Sequence, residues 1–459
     1  MAQDTMTLTQ VTSAPAGRNS WRIGTLARAC SRWLVLSVSL ALTVATTHVV
    51  SADLPTATPQ SKGFSKERLG RIKGVIEAEI SANRMPGAVV LVARQGAIVH
   101  TESLGWQDKE AGTPMRRDTI FRAYSMTKPL VSVVAMMLVE EGKLQLTDPV
   151  SKFFPALANL QVLSNPADPN SAREPAKRPI TVHDLLRHTS GLTYGEFTRF
   201  ASVKTAYEQA GLFSPQTPMR ALALTPAQQI DAFAQAPLVW QPGTTFDYGL
   251  STDLLGRVLE KVSGQSLGAL LDEKLVKPLG MKDTHFVVPA AKATRLAEPL
   301  KLDPLTGGPS MAVLDVTKPT GNESGGAGMS TTADDYLRFC QMLLNGGVLD
   351  GRRYLSRTTV ALMTSDHLGP KVATPVQPGE VLMGMQGYTF GLGFMVRQQA
   401  GIAAVPGSEG DYAWGGAAGT FFWVDPKEQL VAVMMAQTPG PIRQSYRRMI
   451  KTLVYQALE

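Results

Sequence analysis

Ser125 and Lys128 stand three positions apart in Ser125-Met126-Thr127-Lys128, and nowhere else in the 459 residues does a lysine follow a serine at that spacing. On a helix, positions i and i+3 share a face about one turn apart. A hydroxyl and an amine placed so can share a hydrogen bond, and a lysine kept neutral by burial can draw the proton off the serine. A helix N-terminus beneath the serine favours negative charge developing there. The pair therefore spells an activated nucleophile of the Ser-Lys type. A second serine competes for that role. Gly264-Gln265-Ser266-Leu267-Gly268 has the letters of a G-x-S-x-G elbow, which requires a strand directly before the serine and a helix after it. Here the motif falls between two helical stretches, 253–262 and 270–276, so Ser266 is expected to cap a helix. The six histidines are scattered without ligand-like spacing. No metal site is expected from them, and no cofactor is called for.

The elements around Ser125 support its role. Residues 128–141 (KPLVSVVAMMLVEE) are apolar nearly all round, which marks a buried helix. Pro129 falls in the first turn, where a missing N–H costs little, and Gly142 is placed to end the helix. Ser125 is thus expected at the mouth of a buried helix with Lys128 one turn inside. Upstream, 64 to about 82 has helical spacing, and 87–99 reads as a hairpin turning at Gln95-Gly96. Near the other end, 388–396, 419–424 and 429–436 are short strand-like runs, with a turn over 425–428, and a helix from 441 to 458 closes the chain. Strands at both ends with helices between imply an α/β (α+β) fold, one sheet assembled from both termini with a helical domain inserted. The loops near 193–240 and 365–410 are expected to shape the pocket.

Composition excludes several classes. A hydrophobic content of 44% with 18% charge describes a globular chain. Arg18, Arg22, Arg28 and Arg32 precede an apolar run over 33–45, and Val50-Ser51-Ala52 offers small residues at a cleavage site. That is a secretory signal pattern, since the run falls short of the ~20 residues that span a bilayer. Residues 1–52 are therefore expected to be removed and the protein exported, to the periplasm or beyond. The segment holds four arginines and one aspartate, so its loss lowers the net charge from +7 to +4. No basic block suggests a nucleic-acid partner. Cys30 leaves with the segment and Cys340 remains alone in an apolar helical stretch, so no internal disulfide is expected. Residues 53–62 read as a linker and 63–459 as the folded protein, with an α/β part about 63–122 and 317–459 and a helical part about 123–316.

Four blocks carry a family resemblance: Phe121-Arg122-Ala123-Tyr124-Ser125-Met126-Thr127-Lys128-Pro129, the run 180–192 (ITVHDLLRHTSGL), the run 242–249 (PGTTFDYG) and the run 324–331 (SGGAGMST). In this order they resemble the serine hydrolases of the class C β-lactamase superfamily, over nearly all of 62–459. The resemblance implies a site built from S-x-x-K, Y-x-N and K-T-G elements. The first is whole, with Ser125 as nucleophile and Lys128 as its base partner. The second is half present, since Tyr248 fills the tyrosine position while Leu250 stands in place of asparagine. No K-T-G occurs, and the corresponding stretch reads Trp414-Gly415-Gly416-Ala417, which resembles the family VIII carboxylesterases. The backbone N–H groups of Ser125 and Ala417 would form the oxyanion hole. Trp414, Gly415, Gly416 and Leu250 would line an apolar entrance. The block holding His188 reads as structural.

These features imply an exported serine esterase acting on small to medium acyl esters, with Lys128 and Tyr248 moving protons. A β-lactamase or DD-peptidase is the alternative, and a catalytically idle sensor of the same fold a second one. A small-molecule ester is the expected partner.

Overall fold

The computed structural model describes residues 53–216 and 219–459; the expected signal segment lies outside the described residues. Helix α1 (Lys66–Ser81) begins where its pattern places it, with the Ser65 side chain accepting from the Arg68 N–H. It leads into β1 (Gly87–Arg94) and β2 (Ala97–Asp108). Gln95 and Gly96 take φ of 50° and 76° between them, the left-handed pair that a tight two-residue hairpin needs. A short β3 (Thr113–Pro114) follows. The remaining strands of this sheet come from the far end of the chain: β4 (Tyr388–Phe390), β5 (Met395–Arg397), β6 (Tyr412–Gly415), β7 (Phe421–Asp425) and β8 (Leu430–Ala436).

All neighbours are antiparallel, in the order β4-β5-β6-β7-β8-β1-β2-β3. The two termini meet at the centre, where Ala88 pairs with Ala436 and Arg94 with Leu430. Every residue of β7 and β8 is buried. That explains why these strands read as unbroken apolar runs and not as alternating ones. The chain-closing helix, α6 (Ile442–Tyr455), lies against α1, and α5 (Ala333–Leu344) packs on β8, β7 and β1. This is the β-lactamase/transpeptidase-like fold, a large antiparallel sheet flanked by helices.

Between β3 and β4 lie α2 (Thr127–Glu140), α3 (Val182–Leu186) and α4 (Ser251–Ser263), with shorter turns and helices among them. Every residue of α2 from Thr127 to Leu138 is buried, including Lys128 and Ser132, as a helix apolar nearly all round requires. One hydrophobic core runs from the sheet through these helices without a break. Phe121 and Arg122 pair with Thr331 and Ser330, tying the chain just ahead of Ser125 to a segment two hundred residues on.

Two expectations about elements need correction. The run 388–396 is a hairpin, not one strand, because the chain reverses at Gly391–Gly393. Gly393 has φ of 95°, and a Cβ on Gly391 would lie 2.1 Å from the Met363 carbonyl oxygen. Residues 53–62 are not a free linker. Ala57 donates to the Ile98 carbonyl and Ile98 to that of Pro55, which fastens the segment along β2. Cys340 is a buried free thiol in α5, as read.

Candidate active site

Ser125 lies in a single 3-10 turn, Tyr124–Met126, that feeds directly into α2. Tyr124 holds φ of 46°, a costly region for a bulky residue. Its surroundings compensate. The Tyr124 hydroxyl accepts from the Leu314 N–H at 3.0 Å, the Tyr336 hydroxyl donates to the Met126 carbonyl at 2.9 Å, and Ala123 N–H donates to Met329 at 2.9 Å. A strained, over-determined turn therefore presents Ser125 to a cavity of about 350 Å³.

Lys128 is 1% exposed. Its Nζ lies 3.3 Å from Ser125 Oγ, 2.7 Å from the Gly326 carbonyl and 3.0 Å from the Tyr194 hydroxyl. The carbonyl can only accept, so it takes one N–H, and Tyr194 can take a second. The remaining position on nitrogen, lone pair or N–H, faces Ser125. Asp253 sets up the Gly326 carbonyl: its Oδ1 accepts from Ser324 Oγ at 2.5 Å and from Gly326 N–H at 3.3 Å. Gly326 has to be glycine, since a Cβ there would lie 2.3 Å from the Asp253 carboxylate.

Lys128 Nζ sits over the ring of Tyr248, 4.7 Å from its centroid, and makes no hydrogen bond to its hydroxyl. The Tyr248 hydroxyl is buried with no hydrogen-bond partner among the described residues, and Tyr248 lines the cavity beside Ser125. Its ring packs edge-on against Trp414 at 5.1 Å and Tyr194 at 5.6 Å. His188 supports it from behind, 4.9 Å from the ring, and accepts from the Gly249 N–H through Nδ1 at 3.3 Å. Burial, then the Lys128 charge, holds the His188 imidazole well below its usual range. A neutral ring bonded to Gly249 and packed against Tyr248, with no hydrogen bond to Ser125 among the described residues, fits the structural reading of its block. Thr189 and Ser190 complete that block, bonding Asp184 and Ser251.

Trp414, Gly415, Gly416 and Ala417 all line the cavity. Trp414, next to the end of β6, is 1% exposed, and its indole N–H has no hydrogen-bond partner among the described residues. A Cβ on Gly416 would lie 2.3 Å from the Ala123 carbonyl oxygen, so only glycine lets this strand approach the Ser125 turn. Leu250 requires correction. It is 5% exposed, directly precedes α4 and belongs to the hydrophobic core, not to the cavity wall. The chain turns inward after Tyr248, and Asp247 and Thr193 face the cavity there. Asp247 accepts from Thr193 Oγ1 and Trp240 Nε1, both at 2.8 Å, and burial raises its carboxyl above the ordinary range.

The outer wall comes from the two loop regions. Phe197, Phe200 and Trp240 belong to the first, and Val376, Val381 and Leu382 to the second. Ser266 caps the helix Leu267–Leu271, accepting from the Ala269 N–H, with a helix and turn before it and no strand. Sequence reasoning missed Tyr194 and Asp253. Tyr194 follows the 180–192 block by two positions, and that proximity was the only available signal. Burial first, then Asp253, holds its phenol far above the usual tyrosine range, so it stays protonated.

This geometry accompanies a match of residues 72–454 to the beta-lactamase family model. The chain belongs to the beta-lactamase family. Among its relatives, Esterase EstB of Burkholderia gladioli is 32% identical over 80% of this chain and 90% of its own length. Protein Rv1367c of Mycobacterium tuberculosis is 36% identical over 78% and 86%. The solved structure of EstCE1, described as a hydrolase with promiscuous acyltransferase activity, has a TM-score of 0.67 at 29% identity, covering 85% of this chain and 99% of that one. Within the beta-lactamase family, this protein is a serine hydrolase of carboxylesterase type, consistent with a family VIII-like enzyme.

Proposed function

We propose that the protein cleaves small to medium carboxylic esters through an acyl-enzyme on Ser125. Ser125 Oγ adds to the ester carbonyl carbon while its proton passes to Lys128 or Tyr248. The N–H groups of Ser125 and Ala417 hold the resulting oxyanion. The tetrahedral adduct collapses, the C–O bond to the alcohol breaks, and the alcohol leaves with the transferred proton. Water then adds to the acyl carbon while giving a proton to Tyr248, the bond from that carbon to Ser125 Oγ breaks, Oγ takes the proton back, and the acid leaves. The observation that carries this reading is the 3.3 Å contact between Lys128 Nζ and Ser125 Oγ at the edge of the cavity. The apolar outer wall supports acyl and alkyl groups over charged peptides. The absence of a lysine at the position of Trp414 leaves a β-lactam carboxylate without that partner.

The test is hydrolysis of p-nitrophenyl butyrate. Ser125→Ala should lose at least about a thousandfold in kcat, and Ser266→Ala should keep wild-type turnover. Activity surviving in Ser125→Ala would overturn the assignment. Acyl transfer to an added alcohol is a second reading, motivated by the described activity of EstCE1; ester product in place of free acid would reveal it. We also propose export, supported by the basic and apolar pattern of residues 1–52. Fractionation finding the full-length chain in the cytoplasm would refute it.

A further inference from the structure

We propose that Arg447 is a positioning residue for the oxyanion hole, fixing the Gly416–Ala417 peptide so that the Ala417 N–H faces the acyl carbonyl on Ser125. The inference rests on the reading of Ser125 and Ala417 given above. A trans peptide is planar, with its C=O and N–H pointing in opposite directions. Whatever grips the Gly416 carbonyl therefore aims the Ala417 N–H. Arg447, on α6, donates to that carbonyl through Nη2 at 2.5 Å, and the Gly419 N–H adds a second bond at 3.1 Å. Both lone pairs of the oxygen are occupied, and the peptide cannot rotate without breaking a charge-assisted bond. The Ala417 N–H has no backbone acceptor among the described residues, and Ala417 lines the cavity with Ser125.

The rest of the arginine is equally committed. Nη1 donates to the Leu382 carbonyl at 2.7 Å and Nη2 also reaches that of Thr420 at 3.4 Å. Its side chain is 2% exposed. Among the described residues its hydrogen bonds all go to carbonyls and none to a carboxylate. Burial works against its charge, and Arg443 beside it adds to the cost. A buried cation without a counter-ion is expensive to keep. Here it sits across one peptide from the N–H that would meet the developing negative charge, and its pull on the Gly416 oxygen makes that opposite N–H a stronger donor.

Arg447→Met and Arg447→Lys separate this role from packing. Removing a direct oxyanion donor costs about 10² to 10³ in rate. For Arg447→Met we expect kcat on p-nitrophenyl butyrate to fall about 100-fold with KM within threefold. Affinity for phenylboronic acid, which forms a tetrahedral anion on Ser125, should fall by a similar factor. Arg447→Lys keeps the charge and one bond and should recover about tenfold of both. If the methionine variant fails to fold, the lysine variant carries the test by the same parallel loss in kcat and boronate affinity. Either variant folded, with kcat and boronate affinity within threefold of wild type, overturns the proposal, as does a loss confined to KM. A wild-type protein that does not bind the boronate overturns it too. Ser125→Ala distinguishes the two levels: activity retained there sinks the esterase reading, whereas a dead Ser125→Ala with neutral Arg447 variants sinks only this inference.

Discussion

Two tyrosines approach Lys128, and their surroundings assign them different tasks. Tyr194 is bonded to the amine and is held protonated by burial. Tyr248 turns its face to the amine and leaves its hydroxyl unpartnered. An unpartnered buried hydroxyl costs about 1 to 3 kcal/mol, which argues that its partner is the reacting substrate. Tyr248→Phe should therefore lower kcat by about 100-fold or more, the scale of a lost proton-transfer group. Tyr194→Phe removes one acceptor from the amine and should cost about tenfold, chiefly in kcat. Steady-state kinetics on one ester, with both variants checked for unchanged folding, decides the order. Equal losses, or a larger loss in Tyr194→Phe, would reverse the two roles. The sequence made only one of these residues visible. Tyr248 sits in a recognisable block, whereas Tyr194 reaches Lys128 through a turn whose direction local pattern does not encode.

The decisive elements are the end of β6 and the turn before α2. They meet because Gly416 has no side chain: a Cβ would lie 2.3 Å from both the Ala123 carbonyl and Thr420 Oγ1. Ala123 also leads into the left-handed Tyr124, so neither backbone has room to yield. Gly416→Ala should destabilise the fold by about 1 to 3 kcal/mol, the usual cost of overpacking. It should also reduce kcat by more than this loss of stability can explain, because the Ala417 N–H moves with the strand. Thermal melting beside kcat measures both, and a variant with wild-type kcat would show that the close approach is not needed for turnover. Most elements were legible from periodicity, since α1, α2 and β8 start and stop within a few residues of their pattern, and the β1–β2 turn falls where it was read although β2 runs on to Asp108. β6 was not, because Tyr412–Gly415 is four residues bounded by glycine-rich turns. The break at Gly391–Gly393 was hidden inside a run that reads as one strand. Leu250 was misplaced for a related reason. A family position predicts which residue stands there, but the chain's inward turn after Tyr248 decides where its side chain goes.

At the scale of the whole molecule, the distant segments that build the cavity are held together by polar contacts that no local pattern announces. One of them is sensitive to protons. His183 on α3 and His367, from the second loop region, share a bond of 2.9 Å between Nε2 and Nδ1. His367 Nε2 faces the Leu362 carbonyl at 2.8 Å, and a carbonyl only accepts, so His367 Nδ1 is the acceptor and His183 Nε2–H the donor. Burial, then Arg187 and His367, lowers His183 to about 4, with Asp184 opposing and Arg178 adding slightly. Burial lowers His367 as well. The unfolded chain takes up protons near pH 6.5, where the folded pair still refuses them. Between about 4 and 6.5 the unfolded state thus binds more protons, and stability must fall as the pH falls through that window. Carboxylates such as Asp335, raised to about 6 by burial, push the other way and blur the total. A difference measurement removes them. His183→Gln keeps a donor for His367 Nδ1 but cannot titrate. Relative to wild type it should gain on the order of 1 kcal/mol between pH 7 and pH 5, after discounting for the partial exposure of His183. Denaturant unfolding of both proteins at the two pH values reads this directly, and parallel stability profiles would show that His183 titrates normally in the folded state. The same bond fastens α3 to the segment whose Ala373 pairs with Thr245, three residues before Tyr248. The Phe246 N–H donates to the Ala373 carbonyl as well, so the segment that carries His367 is bonded to the backbone beside two residues of the cavity lining, Phe246 and Asp247.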